Sequence, residues 1–273
     1  MSESSNGKSL RLARLSRYVG NRFLFIPLDH SVSDGPVVPG HAFNDLVRSL
    51  VAGGADGIIV HKGRARTIDP GLLGACSLIV HLSASTGHAP DIDAKVLVGG
   101  VEDAIRLGAD AVSVHVNIGS ATEAAQLADL GAVAGACERW GLPLLAMIYP
   151  RGPRIADPHE PRLLSHVVNI AADLGADLVK TTWPEPFDRI DEVVASSPVP
   201  VLLAGGPADG GQLERYARVA MNGGCHGLAV GRRVFGHARP REAVAALAAI
   251  VHDAPAFTVL GADTPTRELA GLL

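Results

Sequence analysis

The chain has 273 residues, of which 47% are hydrophobic and 19% are charged, and this composition excludes an intrinsically disordered protein. The formal net charge of −4 gives no reason to expect a nucleic-acid or membrane partner. The three cysteines are widely separated and form no CxxC pair, which argues against a disulfide framework and a thiolate metal site.

The N-terminal region shows no pattern of secretion or membrane insertion. Residues 1–7 are polar, and the basic stretch that follows them has no apolar centre. No run of about 18 uncharged apolar residues occurs, so no transmembrane helix is predicted and a cytoplasmic location is expected. The apolar residues of 10–18 predict an amphipathic helix, placed at about 8–20, that closes one end of the fold.

Eight short apolar runs follow along the chain. They lie at 23–28, 57–60, 77–82, 111–116, 143–148, 177–180, 199–204 and 227–230. Nearly continuous apolar runs are typical of strands that are covered on both faces. Segments with helical spacing of apolar residues, such as 42–53, 101–107 and 240–252, alternate with them, and this alternation implies parallel pairing.

A short repeat supports this organisation. Gly-Ala-Asp occurs at 54–56, 108–110 and 175–177, before the second, fourth and sixth predicted strands, and a looser copy begins at Gly224. A glycine at such a position is typical of a helix end. Eight strand–helix units predict an α/β protein with a TIM (β/α)8 barrel, formed by residues 1–273 as one domain with a tail at about 254–273. A doubly wound sheet is the alternative fold, but it is less consistent with the sequence, because no GxGxxG follows the first strand.

Lys180 ends the sixth predicted strand and is one of only four lysines in the chain. Burial of an amine in an apolar wall disfavours its charged form. A neutral amine can attack a carbonyl group and form a Schiff base. The alternative interpretation is a lysine that extends to solvent or pairs with a phosphate.

Polar residues stand at the ends of six consecutive predicted strands. In a TIM barrel the carboxyl ends of the strands carry the chemistry, so these side chains are expected to meet in one pocket. They are Asp29 and His30; His61, Lys62 and Arg64; His81 and Ser83; His115 and Asn117; Tyr149 and Arg151; Lys180 and Trp183. Substrate contacts are expected from His30, Lys62, His81, His115, Asn117, Arg151 and Trp183.

The histidines at strand ends raise the alternative of a metal site. However, the first strand has no HxH pair, and no HExxH helix is present. We therefore expect neither a metal ion nor a cofactor. The histidines are expected to form hydrogen bonds or to contact substrate.

Glycines after the last two strands indicate a phosphate site. Gly205 and Gly206 follow the seventh predicted strand, and Gly231 and Arg232 follow the eighth. Glycine allows backbone N–H groups to approach an anion closely, and the loops after strands seven and eight are the usual phosphate site of this fold. A tight turn is the alternative interpretation of Gly-Gly. We expect a small phosphorylated substrate here.

Schiff-base chemistry also requires groups that move protons. Asp29 and Tyr149, at the ends of the first and fifth predicted strands, supply a carboxylate and a phenol. Alternatively, Asp29 caps the next helix and Tyr149 is only a wall of the pocket.

Seven stretches carry a family resemblance: 27–30 (PLDH), 78–86 (LIVHLSAST), 101–120 (VEDAIRLGADAVSVHVNIGS), 149–152 (YPRG), 178–181 (LVKT), 204–207 (AGGP) and 230–232 (VGR). Together they resemble the archaeal-type class I aldolases, and within these the branch that makes seven-carbon amino-sugar intermediates. The resemblance implies a homo-oligomer in which Lys180 is the imine nucleophile and Asp29 and Tyr149 are acid–base groups. It also implies that the donor phosphate is bound by Gly205, Gly206, Gly231 and Arg232.

Two positions depart from the family pattern. Ser31 stands where a glycine is usual, and Lys180-Thr181 continues into Thr182-Trp183-Pro184. Both departures lie beside the expected pocket, so they concern the identity of the donor and acceptor more than the imine chemistry.

The resemblance implies a lyase that needs no metal. A phosphorylated keto donor, either dihydroxyacetone phosphate or a deoxyketohexose phosphate, forms an imine with Lys180. The resulting enamine attacks an aldehyde, expected to be L-aspartate 4-semialdehyde, and gives a C7 amino-keto sugar. Fructose-1,6-bisphosphate aldolase is the nearest alternative, and a metal-dependent aldolase is a further one. A non-catalytic barrel that binds a phosphorylated ligand is the alternative of another class.

Overall fold

The computed structural model describes residues 3–17, 20–206 and 213–253, and its centre is a closed barrel of eight parallel strands. The strands are β1 (Phe23–Pro27), β2 (Gly57–His61), β3 (Ser77–His81), β4 (Ala111–Ile118), β5 (Leu144–Pro150), β6 (Leu178–Thr181), β7 (Val201–Ala204) and β8 (Gly227–Ala229). Each strand pairs with the next along the chain, and β8 pairs with β1. The predicted TIM barrel is therefore confirmed.

The helices that alternate with the strands surround this barrel. Within the described residues they are α1 (Glu3–Arg14), α2 (Phe43–Gly53), α3 (Lys62–Ala65), α4 (Val101–Arg106), α5 (Glu123–Trp140), α6 (Pro161–Asp173), α7 (Ile190–Ala195), α8 (Leu213–Asn222), α9 (Arg232–Phe235) and α10 (Pro240–Asp253). Short 3-10 segments lie at Asp29–Ser31, Gly40–Ala42, Pro70–Leu73 and Phe187–Arg189. None of the helices in these parts of the chain is long and apolar enough to cross a membrane.

Strand residues alternate between the inside of the barrel and the helices. The inward set forms one buried cluster, which includes Phe25, Ile59, Ile79, Leu145 and Leu178. The outward set packs against the helices in a second, larger cluster. Because this alternation has a period of two, the residue two positions beyond an inward apolar residue also faces the interior.

The Gly-Ala-Asp repeat has the same structural role at each of its three sites. The glycines adopt positive φ angles of 103°, 77° and 95° at Gly54, Gly108 and Gly175, which side chains disfavour. Each aspartate then accepts a hydrogen bond from the amide of a residue on the preceding strand: Asp56 from Leu24, Asp110 from Leu78 and Asp177 from Leu144. The repeat therefore fixes the start of one strand against its neighbour.

The N-terminal helix differs from its predicted bounds of about 8–20. It runs from Glu3 to Arg14, and the chain then turns so that Leu15 is fully buried among the barrel-interior residues. The amide of Arg17 donates to Oδ1 of Asp56 at 2.9 Å, which fixes this turn. Leu15 thus closes the floor of the barrel from this turn, and Leu12 of the helix packs against the same cluster. The predicted tail at about 254–273 lies outside the described residues.

All eight predicted strands are present, but β4 and β5 are longer than predicted. Their ladder continues through His115↔Met147 and Asn117↔Tyr149 to Ile118↔Pro150. His115, Asn117 and Tyr149, which suggested the ends of these strands, therefore lie within them. Their backbone is fixed by strand pairing rather than by a loop.

Candidate active site

A cavity of about 680 Å³ opens at the carboxyl end of the barrel. Twelve of the fourteen predicted site residues line it: Asp29, His30, His81, His115, Tyr149, Arg151, Lys180, Trp183, Gly205, Gly206, Gly231 and Arg232. They come from both ends of the chain and from most of the strands between them. The barrel thus brings the predicted site together in one place.

Lys180 is buried, with only 7% of its surface exposed, and lies on β6 two residues beyond the inward-facing Leu178. It pairs with Met147 on β5 and Leu202 on β7. Its Nζ atom lies 4.0 Å from the Met147 sulfur, which is a weak acceptor. Within the described parts of the chain, no carboxylate lies within ion-pair distance of this amine.

Asp29 follows β1 after one residue, Leu28, and its carboxylate lies between two histidines. Its Oδ2 is 3.8 Å from Nε2 of His81, and its Oδ1 is 3.7 Å from Nδ1 of His30. Burial by itself would raise the pKa of Asp29, but its electrostatic interactions with His81, His30 and Lys180 outweigh burial and lower the pKa. The group is therefore an ionised base at neutral pH. It makes no helix-capping hydrogen bond, so the capping alternative is wrong.

Two buried polar atoms, one of this carboxylate and one of a neighbouring histidine, have no hydrogen-bond partner. They are Oδ1 of Asp29 and Nδ1 of His30, and both residues line the cavity. Native structures leave few buried polar atoms unsatisfied, and those that remain often occur where a ligand binds. This pair indicates where a polar substrate group would be held.

His81 is buried on the inner face of β3 and is held from behind. Its Nδ1 lies 2.8 Å from the hydroxyl of Ser113, and its ring contacts that of His61 with 5.2 Å between centroids. Burial lowers the pKa of His81 to about 4, although the Asp29 carboxylate opposes this shift. The imidazole is therefore neutral at physiological pH.

This histidine makes a testable contribution to stability. The unfolded chain takes up a proton near the ordinary His pKa of 6.5, whereas folded His81 does so only near 4. The free energy of unfolding should therefore fall as pH decreases from about 6.5 to about 4, by up to about 3 kcal/mol from this residue. Urea denaturation at several pH values measures the slope. The variant His81→Gln should show a shallower slope than the native protein, and an unchanged slope would contradict this assignment.

Tyr149 lies on β5, two residues beyond the inward-facing Met147, and is 5% exposed. Its ring centroid is 5.0 Å from that of His115 and 4.6 Å from the guanidinium carbon of Arg151. The phenol therefore stands in the cavity wall between an imidazole and a cation. This position permits both proton transfer and a simple wall role.

Asn117 is fully buried and does not line the cavity, which corrects its predicted substrate contact. Its Nδ2 donates to the carbonyl of Asp93 at 2.8 Å, so its Oδ1 must accept from Nε2–H of His115 at 2.9 Å. Burial lowers the pKa of His115 well below its usual value, and the ring is neutral. Asn117 therefore fixes the tautomer of His115.

Lys62 is the second predicted contact outside the cavity. It begins α3, is partly exposed and lies 3.6 Å from the carboxylate of Asp103 on α4. Arg64, on the same short helix, stacks on Phe43. The polar residues after β2 beyond His61 thus belong to the helical layer, because the chain turns away from the barrel mouth immediately after this strand.

The glycine loops meet the cavity with bare backbone. Gly206 has a φ of 74°, and a Cβ atom there would lie 2.9 Å from the ring of Tyr216. At Gly231 a Cβ atom would lie 2.5 Å from Cε1 of His30. Arg233 donates to the carbonyl of Gly205 at 3.3 Å, which joins the two loops. Both loops therefore require glycine for close packing at the edge of the cavity.

The cavity residues that were not predicted as site residues include Lys95, His159 and Arg233. Lys95 comes from the connection between β3 and α4, where Ser83–Ala84 and Val96–Leu97 form a small antiparallel ribbon. A long connection with one of only four lysines was the available indication, since long loops in compact domains are often functional. His159 contacts the carbonyl of Trp183 through Nδ1 at 2.7 Å, a pairing that no sequence pattern indicates.

The barrel, with polar side chains gathered in a cavity at the carboxyl ends of its strands, has the architecture of a TIM-barrel enzyme. Residues 23–237 match the family model described as DeoC/LacD family aldolase. The chain belongs to this family, and the predicted class of enzyme, a lyase of the aldolase type, is confirmed.

The chain is also similar to proteins with more specific names. It is 50% identical, over 90% of both chains, to 2-amino-4,5-dihydroxy-6-oxo-7-(phosphonooxy)heptanoate synthase of Streptomyces griseus. It is 41% identical to 2-amino-3,7-dideoxy-D-threo-hept-6-ulosonate synthase of Halobacterium salinarum, over 90% of this chain and 92% of the relative. An archaeal fructose-1,6-bisphosphate aldolase, whose catalytic lysine was solved bound to a carbinolamine intermediate, has a TM-score of 0.81 and 25% identity over 90% of this chain and 99% of its own.

Proposed function

We propose that this aldolase joins dihydroxyacetone phosphate to L-aspartate 4-semialdehyde through an imine on Lys180. The observation that carries the proposal is the burial of Lys180 in a cavity that Asp29 and Tyr149 also line. An amine in this position can reach a bound ketone, and a carboxylate and a phenol are present to move protons.

The name of the Streptomyces relative supports this pair of substrates. Its product carries a ketone at C6, a phosphate ester at C7 and hydroxyl groups at C4 and C5. An aldol reaction forms the bond between the carbon next to the ketone and the carbon that bears the new hydroxyl, here C5 and C4. Cleavage of that bond leaves dihydroxyacetone phosphate and the aldehyde of aspartate.

The reaction then follows from the chemistry of an imine. The Lys180 amine adds to the donor ketone, and loss of water gives an iminium ion. Removal of a proton from the neighbouring hydroxymethyl carbon gives an enamine. This carbon attacks the acceptor aldehyde, whose oxygen takes up a proton. Addition of water to the new iminium ion releases the product ketone and restores the amine.

Asp29 and Tyr149 are assigned to different proton transfers. The ionised Asp29 carboxylate accepts and returns protons at the donor carbon and at the carbinolamine, as its lowered pKa permits. The Tyr149 hydroxyl protonates the acceptor oxygen as the new bond forms. Neutral His81 and His30 flank the carboxylate and are available to hydrogen-bond the donor hydroxyl groups.

The donor phosphate is assigned to the loops after β7 and β8. Gly205 and Gly231 are assigned to offer backbone N–H groups, whereas the N–H of Gly206 donates to the carbonyl of Ala204 at 2.8 Å and shapes the loop. Arg232 adds a positive charge that is only weakly paired with Asp34, at 3.8 Å. The joined loops face the same cavity as Lys180. A phosphate held here places the donor ketone toward the amine.

This phosphate assignment predicts a selective loss in the variant Arg232→Gln. The KM for dihydroxyacetone phosphate should rise about 10-fold, because one charge-assisted contact is lost. Turnover of unphosphorylated dihydroxyacetone should change little. Arg106→Gln, which removes an exposed cation from the outer surface of α4, is the matched control. An equal effect on both donors would contradict the assignment.

A substrate comparison tests the proposed function itself. Purified protein is incubated with dihydroxyacetone phosphate and L-aspartate 4-semialdehyde, and the seven-carbon product is measured by mass spectrometry. Cleavage of fructose 1,6-bisphosphate is measured in parallel. Product formation that greatly exceeds cleavage supports the proposal, whereas comparable or faster cleavage of the bisphosphate would reverse the order of the two candidates.

A further inference from the structure

A second cationic wall lines the cavity, away from the glycine loops. Lys95 reaches the cavity from the ribbon after β3, and Arg151 reaches it from the end of β5. In the barrel order, β3 lies four strands from β7, and β4 lies four strands from β8. The glycine loops and the ribbon therefore stand on opposite sides of the mouth, and β6 with Lys180 lies between β7 and β5.

Lys95 is held in place by neutral groups only. Its Nζ donates to the hydroxyl of Ser85 and, at 3.1 Å, to the carbonyl of Ile92. In the described ranges no carboxylate lies within 4.0 Å of it. Partial burial lowers the pKa of Lys95 and the positive charge of Arg151 lowers it further, although the carboxylates of Asp93, Asp29 and Asp34 oppose this shift from a distance. A partly buried cation with no counter-ion in contact is costly, so this wall is suited to an anion.

Arg151 is the second cation of this wall, and it too has no carboxylate in contact within the described parts of the chain. Its guanidinium stacks on the ring of Tyr149. An arginine in this arrangement keeps its donors available for a bidentate contact. The cation therefore stands beside the phenol that the proposed mechanism places at the acceptor oxygen.

The ribbon that carries Lys95 is fixed from behind by buried side chains. The carbonyl of Asp93 accepts hydrogen bonds from Nδ2 of Asn117 at 2.8 Å and from Nε2 of Gln126 at 2.9 Å. Gln126 also accepts from the amide of Asn117, so both side chains belong to one network. Lys95 is thus presented by an anchored segment rather than by an unsupported loop.

We propose that Lys95 and Arg151 bind the carboxylate of the acceptor, and so select an aldehyde that carries a carboxylate. This assignment rests on the proposed function. With the carboxylate at this wall and the donor phosphate at the glycine loops, the two reacting carbons meet above Lys180 and beside Tyr149. A carboxylate is the anion that the proposed acceptor carries, and the two side-chain cations can each donate to its oxygens.

The test uses aldehydes of equal length. Succinate semialdehyde and butanal both have four carbons and differ in the carboxylate. In the variant Lys95→Gln, kcat/KM for L-aspartate 4-semialdehyde and succinate semialdehyde should fall about 10- to 100-fold, while that for butanal should change less than about 3-fold. Lys95→Arg should restore most of the loss. Lys8→Gln, which removes a lysine at the opposite end of the barrel near Asp177, is the control.

Two further measurements separate the possible failures. Borohydride trapping of the donor on Lys180, without any acceptor, tests the proposed function alone and should be unaffected in Lys95→Gln. Equal loss, or no loss, with succinate semialdehyde and butanal would overturn the carboxylate assignment while the trapping result stands. Preference for glyceraldehyde 3-phosphate over aspartate semialdehyde, abolished in Lys95→Gln, would identify a phosphate site instead and also overturn it.

Discussion

Replacement of Lys180 by methionine is expected to lower the rate of aldol condensation by at least about 1,000-fold, because the amine that is proposed to form the imine is removed. Methionine has a similar length and no amine, and its apolar chain suits the buried position between Met147 and Leu202. The protein should therefore remain folded. Steady-state kinetics with dihydroxyacetone phosphate and L-aspartate 4-semialdehyde measures the loss.

Lys8→Met is the matched control for the removal of a lysine. Lys8 pairs with Glu138 and Asp177 near the floor of the barrel, far from the cavity mouth, and its loss should leave kcat within about 5-fold of the native value. Circular dichroism of both variants monitors the fold. A Lys180→Met protein that is folded and retains substantial activity would show that the reaction does not require this amine.

Replacement of Tyr149 by phenylalanine is expected to have the second largest effect. The ring and its contacts with His115 and Arg151 remain, and only the hydroxyl is removed. The kcat of condensation should fall about 100- to 10,000-fold, the range for loss of a general acid. Formation of the donor imine should persist, because that step does not use the acceptor oxygen.

Comparison of imine formation with condensation shows whether Tyr149 transfers a proton or only lines the cavity. Borohydride trapping with donor alone measures imine formation, and kinetics with both substrates measures condensation. Tyr216→Phe is the control, because the hydroxyl of Tyr216 donates to the carbonyl of Ala204 and belongs to the packing behind the loop. If Tyr149→Phe lowers kcat less than about 10-fold, Tyr149 serves only as part of the wall.

The barrel was predictable because hydrophobic patterning and the Gly-Ala-Asp repeat indicate the same units. Each repeat glycine adopts the left-handed conformation that ends a helix, and each aspartate bonds the amide of a residue on the preceding strand. The bounds of β4 and β5 were less predictable. Polar residues such as His115 and Asn117 suggest the end of a strand, yet backbone pairing continues through them.

The site was predictable where a polar residue follows an inward apolar residue by two positions. Tyr149 follows Met147 in this way, and Lys180 follows Leu178, so the period of the strand dictates their direction. The period of the strand does not predict the direction of Lys62, because the chain turns into α3 immediately after β2. Lys95 was missed since its place depends on the hydrogen bonds of Asp93 in the ribbon, which no local pattern encodes.

The most direct test of the central claim is to locate the covalent adduct. Native protein is treated with sodium borohydride in the presence of dihydroxyacetone phosphate, digested and mapped by mass spectrometry. The expected result is a single modified peptide with the reduced adduct on Lys180, and no such adduct in Lys180→Met. An adduct on Lys95 or Lys62 instead, or condensation activity without any adduct, would contradict imine catalysis by Lys180.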